Sequence, residues 1–171
     1  MAVIEAIATH YLEADANSVE FTSIPQTYEH LEVRCSLRST NATAEGVNNW
    51  MIVGSDSASN YHMHVAYASG TAEGGWPAGP DTKMTLGQTT GGGNPTANYT
   101  TLVVYIYDYT VNNSGKTVQF LAGQGCQNSA NLTFGGNYQD NYTTISGLTF
   151  YFTSDKVARG SVFSLYGMNS S

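Results

Sequence analysis

With 171 residues the chain is long enough for one domain with a full core, and its net charge of −7 (6 Lys and Arg against 13 Asp and Glu) denies it the clustered cations that hold nucleic acid or an anionic membrane surface. Only 11% of residues are charged, and 18 Gly, 20 Thr, 16 Ser and 14 Asn carry much of the polarity instead. The 41% of hydrophobic residues excludes a disordered chain, and no apolar run reaches the roughly 18 residues of a spanning helix.

In chain order, the opening MAVIEAIATHYLE has no basic stretch, and Glu5, His10 and Glu13 interrupt its apolar residues. We therefore expect no signal peptide and synthesis in the cytoplasm. Residues 3–12 form a first predicted strand, with about the first 15 residues an extended arm or an edge strand. A second strand, 18–24, ends at Ser23-Ile24-Pro25. Leu31, Val33, Cys35 and Leu37 then alternate with Glu32, Arg34, Ser36 and Arg38, the pattern of a half-buried strand with one wet face. Cys35 lies on the apolar side as a core thiol. Cys126 sits in GQGCQN, and whether the two pair is a matter of geometry.

After a short strand at 50–53 comes Asp56-Ser57-Ala58-Ser59-Asn60. Its oxygens recur at alternate positions, but it lacks the glycine and final glutamate of an EF-hand loop, so a polar turn is expected. Tyr61, Met63, Val65 and Tyr67 next alternate with His62, His64 and Ala66. The two histidines share a face, and no third ligand at fixed spacing completes a metal site. Two stretches, 68–83 and 87–99, are so rich in Gly and Pro that both are predicted to project as long loops, flanking a strand at 83–86. Trp76 falls on the first; it either folds back onto the sandwich or anchors a partner or a sugar. Gly91-Gly92-Gly93 lacks the Lys-Ser/Thr of a phosphate loop.

The strand at 99–109 is unusual. Leu102, Val104 and Ile106 are apolar, and so, on the other parity, are Val103, Tyr105, Tyr107 and Tyr109. Such a strand is covered on both faces, by its own chain or by another subunit on a tyrosine stripe. Tyr105, Tyr107, Tyr109 and Trp76 are the interface candidates. Further strands are predicted around Val118 and Phe120, at 131–134, around Leu148, Phe150 and Phe152, and at 160–167, with turns at Asn112-Asn113-Ser114-Gly115 and Gly135-Gly136-Asn137. No helical period is sustained. About ten short strands predict an all-β, antiparallel β-sandwich, jelly-roll-like, in a single domain over 1–171. His10 and His30 have no nucleophile motif near them, and the carboxylates single out no pair, so no catalytic, cofactor-binding or metal-ligating residue is expected and no enzyme.

Several strings occur together: Val19-Glu20-Phe21-Thr22-Ser23-Ile24-Pro25 with Thr27-Tyr28-Glu29-His30-Leu31; Gly54-Ser55-Asp56-Ser57-Ala58-Ser59-Asn60-Tyr61; Tyr107-Asp108-Tyr109 followed by Lys116-Thr117; and Gly160-Ser161-Val162-Phe163-Ser164-Leu165-Tyr166-Gly167-Met168. In order and spacing this resembles a family of small tailed-bacteriophage virion proteins. Ser55, between Gly54 and Asp56, departs from the family pattern, and residues 68–99 have no counterpart in it. The resemblance implies a non-enzymatic β-sandwich of the virion without catalytic residues or cofactors. A capsid decoration (cement) protein on the outer capsid surface is the first expectation. It would self-associate, with a homotrimer favoured, and bind the major capsid protein. The alternative is a tail or fibre module that recognises a host surface glycan, and a glycan depolymerase is a distant third.

Overall fold

Period-two alternation leaves each strand one face to bury, and two sheets that bury those faces against each other make this molecule. The computed structural model describes residues 3–43, 46–70, 72–94, 98–125 and 130–169, and its described residues contain twelve strands and no helix. These are β1 Val3–Tyr11, β2 Ser18–Phe21, β3 His30–Leu37, β4 Val47–Val53, β5 Tyr61–Ser69 and β6 Ala72–Asp81. They continue with β7 Met84–Thr89, β8 Thr100–Ile106, β9 Lys116–Gly125, β10 Ala130–Gln139, β11 Leu148–Tyr151 and β12 Val162–Asn169. One sheet has eight strands in the order β1-β12-β3-β8-β9-β10-β5-β6, the other four in the order β2-β11-β4-β7, and every pairing is antiparallel.

The path is that of a jelly roll with two additions. Strands β2, β3, β4, β5, β6, β7, β8 and β11 pass between the two sheets in jelly-roll sequence. The β9–β10 hairpin is inserted between β8 and β5, and β1 and β12 extend the sheet beyond β3. Inserting strands as a pair keeps every neighbour antiparallel, so the hairpin widens the sheet without changing its path. At about 4.8 Å per strand, eight strands span roughly 34 Å and four only about 14 Å. The small sheet cannot cover the large one, and the outermost strands β1 and β6 are left largely exposed.

The core between the sheets collects the apolar faces: Leu31, Val33 and Leu37 of β3, Leu102, Val104 and Ile106 of β8, Phe163 and Leu165 of β12, against Phe21, Met51 and Phe150. Cys35 is buried among them, and burial pushes its thiol pKa up, so it stays protonated and inert. Cys126, and with it the question of a Cys35–Cys126 bond, lies outside the described residues. Toward β10 the interior turns polar. Asn131, Thr133, Asn137 and Gln139 face inward, and Asn137 Nδ2 donates to the Thr85 carbonyl of β7 at 3.1 Å. Here the sheets approach most closely. A β-carbon on Gly87 would lie 2.2 Å from Thr133 Oγ1, and Gly87 has φ +84°.

Three expectations need correcting. Residues 68–83 are not a projecting loop: Ala72–Asp81 forms β6, paired with β5 along its length. Residues 87–99 begin inside β7, which runs to Thr89, and only beyond it does the chain leave the sheet; residues 95–97 lie outside the described residues. Gly135-Gly136-Asn137 is no turn but the middle of β10, because β9 and β5 on either side bind its backbone whatever its side chains. Replacing Gly87 by Ala should cost more than the roughly 1–2 kcal/mol of a left-handed alanine, since Thr133 must also move; a fall in the urea midpoint with unchanged slope checks it.

Candidate functional site: the outer face of the large sheet

The outer face of the large sheet lacks what a wet sheet face normally carries. Across β8, β9 and β10 its side chains are Thr101, Val103 and Tyr105, then Thr117, Gln119 and Leu121, then Leu132, Phe134 and Tyr138. None is an acid, a lysine or an arginine. Register sets Val103 opposite Leu121, Leu121 opposite Phe134 and Phe134 opposite Ala66, an apolar row across four strands. Leu121 is 49% and Phe134 50% exposed. A contiguous exposed apolar band of this kind marks a contact surface.

Beside Phe134 the face is hollowed into a groove of about 650 Å³. Gly136, where an added β-carbon would meet nothing within 4 Å, leaves the space open between Gln119 and His64. On the other side of the band the face is tied down. Arg34 Nε donates to Glu32 Oε1, the guanidinium lies 4.8 Å from the centre of the Tyr166 ring, and register places Glu32 between Tyr166 and Tyr105. The charge at this end is thus paired within the chain.

The interface candidates separate. Tyr105 is half-buried and Tyr107 exposed, their rings stacked at 6.4 Å on the outer face, with His30 5.2 Å from Tyr107. Tyr109 is fully buried and is not part of any stripe. Asp108 has φ +52°, which breaks the alternation and turns Tyr109 inward, where its hydroxyl donates to the Pro25 carbonyl. Trp76 is not on a loop tip either. It stands in β6 opposite Val65, half-buried against the core and 5.7 Å from Tyr67. Leu121, Leu132, Phe134 and Tyr138 were not singled out from sequence, although Leu121 follows Thr117 and Gln119 at the wet parity of β9.

The strings that carry the resemblance fall mostly at one corner. The Tyr28 ring rests on Gly167, where a β-carbon would lie 2.3 Å from it. Tyr109 bonds Pro25, Gln26 Nε2 donates to the Ile145 carbonyl at 2.9 Å, and the Asp108 backbone N–H donates to His30 Nδ1 at 3.1 Å. These residues therefore build the fold.

The Asp56 turn is a second organiser. Its carboxylate accepts from the side-chain amides of Asn60, Gln139 and Asn141 and from the Ala58 backbone N–H. Surrounding donors, not oxygens, fit the expected turn rather than a cation. Partial burial raises the Asp56 pKa, but these hydrogen bonds together outweigh it and the net shift is downward. Among the described residues no three His, Cys, Asp or Glu side chains group as metal ligands, and no helix is long and apolar enough to cross a membrane. Compared with known proteins, the chain matches no family model, no curated protein and no solved structure.

Asp56→Asn puts an amide donor against these amides and should destabilise the fold by about 1–3 kcal/mol at neutral pH. Because the folded pKa is depressed, the stabilisation is complete above the ordinary carboxylate value of about 3.9 and disappears as pH falls through the lower folded value. Wild type and variant should converge in acid, as urea titrations across pH will show.

Proposed function

We propose that this protein is a non-enzymatic bacteriophage virion component, a capsid decoration protein that self-associates and stabilises the outer lattice by burying the outer face of its large sheet. The observation that carries the reading is the uncharged apolar face over β8, β9 and β10. A sheet face meant for water alternates polar residues outward, whereas this one offers Leu121, Phe134, Leu132 and Tyr138 at the centre. The corner strings support the same reading as parts of a scaffold. The binding work is apolar and aromatic burial, with the paired Glu32 and Arg34 at the rim.

A tail or fibre module for a bacterial surface glycan is the second reading, favoured by one feature, the groove with Phe134 as an aromatic wall and Gln119 and His64 at its polar edge. Copies per virion separate the two: decoration requires a number on the scale of the capsomers, a tail part only a few. Leu121→Ser with Phe134→Ser removes two side chains worth about 1.5–3 kcal/mol each when buried, so binding to bare capsids should weaken by at least about 100-fold in a sedimentation assay. Capsid binding unchanged in that variant overturns the first reading, and a glycan array that the variant loses supports the second.

A further inference from the structure

The two sheets have four edges, and three are closed. Edge strand β2 is only four residues long. Edge strand β7 is buried along nearly its whole length. Edge strand β6 carries Pro77 and Pro80 among glycines, which remove backbone donors. Strand β1 has none of these protections: nine residues, no proline, no lysine, exposed on both faces. Ile4 is 52% and Tyr11 57% exposed.

From this edge we propose that β1 pairs antiparallel with β1 of a second copy, joining two eight-stranded sheets into one of sixteen. The register follows from the bulge between Ala6 and Ala8. Pairing with β12 places Ile4, Ala6, Thr9 and Tyr11 on the outer face, opposite Met168, Tyr166, Ser164 and Val162. Glu5, Ala8 and His10 lie on the inner face, opposite Gly167, Leu165 and Phe163. A two-fold antiparallel contact must match residues of the same face. With the parity shifted at the bulge, one register pairs Ile4 with the second copy's Tyr11, Ala6 with its Thr9, and Glu5 with its His10. The two most exposed apolar side chains of the strand then cover each other. The strand's one carboxylate, which also accepts from the Tyr28 hydroxyl at 2.8 Å, meets an imidazole donor. Without the bulge, residues seven apart would face opposite ways and this register could not form.

The contact is isologous and closes at two copies. Its axis runs perpendicular to the sheet, so both outer faces look the same way and the apolar band is doubled on one side. The pairing is independent of what that band binds.

Sedimentation velocity over a wide concentration range should show a species of twice the monomer mass. Ile4→Lys with Tyr11→Lys in one chain sets like charges opposite each other and should yield monomer, as should Ile4→Glu with Tyr11→Glu. Mixing the two variants should restore the dimer. Leu121→Ser with Phe134→Ser should leave it intact, which separates this contact from the outer-face reading. As a check that tolerates weak association, Ile4→Cys with Tyr11→Cys should form a covalent dimer that neither single variant forms. A wild type that is monomeric or trimeric throughout, a dimer that survives the paired lysines, or a mixture that stays monomeric overturns the proposal.

Discussion

A strand has two faces, and a two-layer sandwich buries one of them. Every property of this molecule traces to which faces remain. The inner faces of β3, β8 and β12 are filled by Leu31, Val33, Leu102, Val104, Phe163 and Leu165, and this burial holds the sheets together. Because the large sheet has twice as many strands as the small one, the burial is uneven. Its middle is closely packed, its polar flank is bonded to β7, and its outermost strands overhang.

The β9–β10 hairpin is the source of that width and also of the apolar outer face. It brings Leu121, Leu132, Phe134 and Tyr138 to the centre of the large sheet. The element that departs from the simplest jelly-roll path thus provides exposed apolar side chains at the outer face. The neighbouring tyrosines add ring area with a polar tip, which suits a surface that is wet until a partner arrives.

Much of the strand plan was legible in the residues. The alternation Leu31-Val33-Cys35-Leu37 and the apolar Leu102-Val104-Ile106 appear as buried faces in the structure. Strand β6 was not legible, because Glu73-Gly74-Gly75-Trp76-Pro77 has the composition of a loop; it is a strand because β5 offers it an edge and bonds its backbone. The same reason makes Gly135 and Gly136 part of β10. Tyr109 looked like its neighbours Tyr105 and Tyr107 until one residue, Asp108, took a left-handed conformation and reversed its direction.

From the chain alone came the class of fold, the one-wet-face alternation, the core thiol at Cys35 and the scarcity of Lys and Arg, because period and composition are local properties. Which apolar residues stay outside, where the bulge shifts the parity of β1, and which sheet edge is left open were decided only by tertiary structure. Those depend on how many strands lie opposite one another, and no single strand contains that information.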